Sequence, residues 1–205
     1  MAVPRLALAA LVASIFALAG CGATEDEAGT PSVTASTPAT ETSGGIDPLE
    51  GASTSPASGP VQTVTGPGGG TALLERVDAA RHEGYDRVVF QFRNTVPGYR
   101  VEYVEPPLQE DGSGAEVKVE GSAFVTVRME AASGFDLETG EGVQVYTGPR
   151  RISGADVGTS VVQEIVRTGD FEAVLTWAAG VSDRVDFRVQ TLDDPPRLVV
   201  DFRNH

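Results

Sequence analysis

The sequence predicts an all-β fold, an antiparallel β-sandwich, for the part of the chain from Thr71 to His205. Apolar and polar residues alternate with a period of two, as on strands with one buried face. Gly- and Pro-rich turn signals separate those runs at short intervals. No stretch of this part combines a helical apolar stripe with a capping residue. Val88, Phe90 and Phe92 alternate with Arg87, Val89 and Gln91, and Val125, Val127 and Met129 with Phe124, Thr126 and Arg128. Phe187 and Val189 likewise alternate with Arg188 and Gln190. Many short strands joined by such turns bury their apolar faces most simply as two stacked sheets.

Before that domain come an address and a spacer. Residues 1–20 read as an export signal, with Arg5 as the positive start and a fourteen-residue run, Leu6 to Ala19, in which only Ser14 is polar. A helix of that run spans roughly 21 Å, short of the roughly 30 Å hydrocarbon core of a bilayer. The run ends in Leu18-Ala19-Gly20-Cys21, which resembles the lipobox of bacterial lipoproteins. The resemblance implies cleavage before Cys21, acylation of its thiol and a lipid-anchored mature N-terminus. Burial at about 0.8 kcal/mol per methylene makes two or three acyl chains a durable anchor.

Of the 49 residues from Gly22 to Gly70, 31 are Gly, Pro, Ser or Thr; none is aromatic, none is basic and six are acidic. Such a composition does not offset chain entropy by burial. Residues 21–70 are therefore expected to be the lipidated cysteine and a tether with a reach of roughly 40 Å. Residues 71–205 hold 23 acidic and 14 basic side chains and twelve aromatic ones, enough for one domain with its own core.

Within the domain the strand expectations run in order over 72–80, 87–92, 99–104, 116–120, 124–129, 143–146, 161–167, 172–177, 187–190 and 197–202. Turns are expected at His82-Glu83-Gly84, Val96-Pro97-Gly98, Asp111 to Gly114, Ser133-Gly134, Thr139-Gly140, Thr168-Gly169-Asp170 and Asp194-Pro195-Pro196. The glycine-rich 130–160 stretch reads as loops around one short strand. Residues 87–94 and 197–204 echo each other at five of eight positions. The echo fits either two ordinary buried strands flanked by arginine or a pseudo-symmetric sandwich in which they hold equivalent places.

Charge and composition narrow the chemistry. A formal charge of -14 argues against nucleic acid, which needs a basic patch. One cysteine and two histidines give no disulfide and little material for a metal site, and no cofactor or metal is expected. Ser113 lies between two glycines without a nucleophile elbow, and His82 lacks a partner base, so both read as turn residues and no enzyme is expected. Asp136, Glu138 and Glu141 do not match a calcium-loop spacing and also read as a turn.

Arginine outnumbers lysine thirteen to one in the domain. Guanidinium forks bind carboxylates or phosphates through two hydrogen bonds. Arg87, Arg150, Arg151 and Arg197 are therefore candidate ligand-binding residues, with pairing to neighbours such as Asp86 or Asp201 as the structural alternative. Tyr99 and Trp177 are candidates for stacking on a sugar, against a place in the core.

The stretch from Asp186 to Phe202, a strand, a Pro-containing turn and then Arg197-Leu198-Val199-Val200-Asp201, resembles the closing pattern of the AMIN family of envelope-targeting modules. Tyr85 to Phe92, followed by Tyr99-Arg100-Val101, resembles its opening strands, and 71–205 as a whole resembles the AMIN-like domains of actinobacterial lipoproteins. The resemblance implies a small β-sandwich at the cell envelope, facing the wall, that binds peptidoglycan, another wall glycan or an envelope protein without catalysis. The alternative is a carrier for a lipid or other apolar ligand in a cavity between the sheets.

Overall fold

A computed structural model describes residues 49–59, 70–138, 140 and 142–205. Thirteen strands and one helical turn follow in chain order: β1 Ala57–Gly59, β2 Ala72–His82, β3 Tyr85–Phe92, β4 Gly98–Val104, β5 Ala123–Glu130, β6 Ala132–Ser133, β7 Phe135–Asp136, β8 Val143–Gln144, β9 Arg151–Ser153, α1 Gly154–Val157, β10 Val162–Phe171, β11 Val174–Val181, β12 Phe187–Asp193 and β13 Pro196–Arg203. Sheet I has the order β12-β13-β3-β2-β6 and sheet II the order β1-β4-β5-β11-β10-β9, while β7 and β8 form a separate hairpin. All pairings are antiparallel except the short β2–β6 contact.

The two sheets stack as the alternation requires. Val88, Phe90 and Phe92 of β3 and Leu198, Val200 and Phe202 of β13 are all buried on the inner face of sheet I. They meet Val125, Val127 and Met129 of β5 and Leu175, Trp177 and Ala179 of β11 from sheet II. A one-residue slip in either strand would turn its apolar side chains outward, which fixes the register.

The two echoing stretches lie side by side. Val89 and Val199, which correspond in the echo, sit directly opposite each other where β3 pairs with β13. Each strand is also the second arm of a hairpin, β2–β3 or β12–β13. A local two-fold axis between the strands therefore exchanges the two hairpins, which is the pseudo-symmetric arrangement.

Several elements differ from expectation. Residues 49–59 fall inside the stretch read as tether, yet they are folded on the domain. Leu49 is 1% exposed, Ser53 exchanges backbone hydrogen bonds with Phe187, and β1 pairs with β4. A composition average over 49 residues hides one leucine anchor and a three-residue strand. Gly59 makes the contact possible, because a Cβ there would run into the Tyr99 ring at 2.5 Å. The remainder of the expected tether, the export signal and Cys21 lie outside the described residues.

Residues 116–120 form no sheet strand and contribute only a bridge between Gln109 and Glu116. The 130–160 stretch holds β6 to β9 and α1 where one short strand was expected. Thr168-Gly169-Asp170 is not a turn but the bulged part of β10, consistent with glycine inside a strand marking a bulge.

The chain reverses instead at Glu172 and Ala173, both left-handed with φ of 51° and 57°. A two-residue hairpin favours this backbone, whereas side chains other than those of Gly and Asn pay roughly 1 kcal/mol there. Glu172→Asn combined with Ala173→Gly is expected to raise stability by about 1 kcal/mol, read as a higher thermal midpoint. An unchanged or lower midpoint would remove strain as a property of this turn.

Candidate functional site

The outer faces of the two sheets have different fates. On sheet II the loop 105–121 lies across β10 and β11. Thr176 Oγ1 donates to Asp111 Oδ2 at 2.6 Å, and Asp111 N donates to Thr168 O at 3.0 Å. A Cβ on Gly180 would collide with the Glu120 carbonyl, so only glycine lets the loop come this close. Thr176 and Ala178 are consequently buried although they point away from the core.

Among the described elements, sheet I carries no such cover. Its pairings set the outward residues of β2, β3, β13 and β12 in four rows. The first holds His82, Tyr85 and Arg203; the second Ala80, Arg87, Asp201 and Arg188; the third Asp78, Val89, Val199 and Gln190; the fourth Arg76, Gln91, Arg197 and Leu192. These rows hold five arginines and two aspartates, in a chain with net charge -14; Arg76 pairs with Asp78 at 2.6 Å, and Arg203 reaches Asp186, just before β12, at 3.8 Å. Neighbouring strands lie about 4.8 Å apart, so adjacent rows and columns form a donor grid on the scale of one sugar or peptide unit.

Asp201 organises that grid. Its carboxylate is 0% exposed although its strand position points outward. Arg87 holds it with two hydrogen bonds of 2.7 and 2.9 Å, Arg188 Nη2 donates at 3.2 Å and Gln190 Nε2 at 3.3 Å. These long side chains lie over it, and the cluster keeps one net positive charge. Hydrogen bonding to Asp201 holds the Arg87 guanidinium above its ordinary pKa, against the opposing effect of burial. Arg87 also lies 5.0 Å over the Tyr85 ring, which stacks on His82 at 4.9 Å. Arg188 Nε is buried without a hydrogen bond.

The six residues singled out in the sequence are thus dispersed. Arg87 and Arg197 share the outer face of sheet I; Arg197 bends back to donate to the Pro195 and Asp194 carbonyls at 3.1 and 3.2 Å. Arg150 and Arg151 lie on the other side and clamp the 105–121 loop. Arg150 donates to Glu110 Oε1 at 2.6 Å and to Arg167 O at 3.0 Å, and Arg151 to Glu164 and to Lys118 O. Glu110 is held below the usual carboxylate range by Ser113 and then by Arg150. Tyr99 packs against the core under β1.

Trp177 requires a correction. It is 0% exposed between the sheets and offers no ring face to a sugar, because its β11 position points inward. The alternation identifies inward positions, but only the register brings Arg76, Arg188 and Arg203 beside Arg87 and Arg197. Those three were not singled out, although Arg188 stands at an outward position of an alternating run.

Ser113 accepts from Ala115 N and Asp136 from Glu138 N, both turn contacts. Among the described residues no group of three or more His, Cys, Asp or Glu is placed to hold a metal, and no helix is long and apolar enough to cross a membrane.

No curated protein and no solved structure matches this chain. A family model described as AMIN-like domain matches residues 72–204. That span runs from the first residue of β2 through β13 to Asn204 and includes the covering loop, and the chain belongs to the AMIN-like domain family.

Proposed function

We propose that this protein is a non-enzymatic envelope lipoprotein, anchored through Cys21, whose outer face of sheet I binds carboxylate-bearing cell-wall material, with peptidoglycan and its peptide stems as the first ligand. Five arginines on a face that no described element covers, in an otherwise acidic protein, carry this reading. Guanidinium groups recognise carboxylates through paired hydrogen bonds, and the interleaved Gln91, Gln190 and Tyr85 add neutral donors and acceptors. Long-range repulsion from the net charge opposes an anionic polymer, so binding relies on local contacts and moderate salt relieves the repulsion.

The carrier alternative gains no support. Between the sheets, Trp177, Phe90, Phe92, Phe202 and their described neighbours belong to one core cluster.

Sedimentation of the full chain in detergent with purified peptidoglycan tests the proposal. Arg76→Gln with Arg197→Gln alters the fourth row and spares the contacts to buried Asp201. Retention is expected to fall at least about tenfold, since charge-assisted contacts contribute roughly 1.5–3 kcal/mol each. Retention equal to the parent chain would overturn the assignment. Mass spectrometry of the mature N-terminus tests the anchor, and an unacylated residue other than Cys21 there would refute it.

A further inference from the structure

A cleft of about 280 Å³ opens on the side of the molecule away from the arginine face. Three separated segments build it: Glu110 and Asp111 of the covering loop, Phe135 of β7, and Arg167 to Phe171 of β10, with Arg150 at its wall. We infer that this cleft is a binding subsite for a single neutral pyranose ring. The inference deepens the wall-binding proposal, which identifies where such rings would be met.

Phe171 supplies the first reason. It is 59% exposed, one of three large apolar side chains so exposed among the described residues, and it lines the cleft together with the half-buried Phe135. An exposed ring at the wall of a polar cleft offers an apolar face to the C–H face of a sugar.

Unused hydrogen-bonding capacity supplies the second. Arg150 engages Nε and Nη2, and its Nη1 donates to no described group. Asp111 receives Thr176 on Oδ2, while its Oδ1 accepts no side-chain or backbone donor among the described residues. A carboxylate oxygen and a guanidinium nitrogen suit adjacent sugar hydroxyls, one donating and the next accepting.

Charge and size exclude other classes. Three carboxylates against two arginines make the lining net negative, which disfavours an anion. A purely apolar ligand would strip water from Arg150 and Asp111 and give nothing back. The volume lies just below the range for drug-sized ligands, which fits one ring better than a chain.

Saturation-transfer NMR of the full chain in detergent with N-acetylglucosamine as the probe, and acetate in a parallel arm, tests the subsite. Transfer to the sugar and none to acetate is expected. Phe171→Ala is expected to weaken sugar binding roughly fivefold, the loss of one ring contact, with an unchanged thermal midpoint. Phe171→Tyr, which keeps a ring, should retain binding, and Arg150→Gln should lower it. Arg76→Gln with Arg197→Gln should leave it unaltered. Absence of transfer to the sugar, or transfer undiminished in Phe171→Ala, overturns the inference; stronger transfer to acetate than to sugar does the same.

The two proposals fail separately. Peptidoglycan retention without a sugar signal removes the cleft and leaves the arginine face. A sugar signal that tracks Phe171, with no loss of retention in the fourth-row variant, keeps the cleft and removes the face.

Discussion

Asp86→Ala is expected to cost about 3–5 kcal/mol, much of the stability of a small domain. The carboxylate is 0% exposed at the start of β3 and accepts from five donors. Oδ2 takes the backbone N–H groups of Ser160, Val161 and Val162 at 2.8, 2.6 and 3.0 Å. Oδ1 takes Asn204 Nδ2 at 2.8 Å and Ser160 Oγ at 3.2 Å. One side chain of sheet I thus satisfies the entry to β10 of sheet II and holds Asn204, the residue after β13.

Alanine would leave those donors without partners in a site that the surrounding chain dries. Asp86→Asn keeps the volume and one acceptor oxygen, but it points an amide N–H₂ at other donors. Its cost should be smaller, about 1–3 kcal/mol. Equilibrium denaturation followed by circular dichroism measures both. A cost below about 1 kcal/mol for the alanine variant would mean that water replaces the carboxylate, and the clasp between sheets would have to lie elsewhere.

Legibility in the sequence followed how local each signal is. Strands β3, β5 and β13 announce themselves because their inward residues recur every second position and are large. Strand β10 runs on through Gly169, where a glycine beside a Thr and an Asp signals a turn as readily as a bulge. The true reversal at Glu172-Ala173 carries neither Gly nor Asn, so nothing local marks it. Residues 49–59 are hidden for a different reason: Leu49 matters through its burial and Gly59 through its close approach to the Tyr99 ring, and composition reports neither.

The candidate site was half legible. Arg87 and Arg197 stood out as strand-edge cations, and the expected alternative of pairing with Asp201 holds for Arg87. Which other arginines join them depends on the pairing of β12 with β13 and of β2 with β3, a non-local property. Arg150 is among the candidate arginines of the sequence, but its cleft needs segments near 110, 135 and 170 brought together. Trp177 carried its burial in its own alternation, where Leu175 and Ala179 flank it at the same phase.

Trp177→Ala is the second large loss expected, about 3–5 kcal/mol. The indole is fully buried on β11 and meets Phe90 of sheet I at 5.9 Å and Tyr146 at 5.6 Å, both edge to face. It therefore fills the middle of the sandwich and braces the strand whose opposite side carries Arg87 and Gln91. Its Nε1 makes no hydrogen bond, so Trp177→Phe removes an unsatisfied donor along with some volume. That variant should lose only about 1–2 kcal/mol. The pair of variants separates packing from recognition. If the side chain is core alone and the proposed wall binding holds, Trp177→Phe retains wall material like the parent chain, and Trp177→Ala loses retention only in proportion to its unfolded fraction measured by circular dichroism. A Trp177→Ala protein that stays folded and yet loses retention would show that the tryptophan shapes the proposed binding face directly.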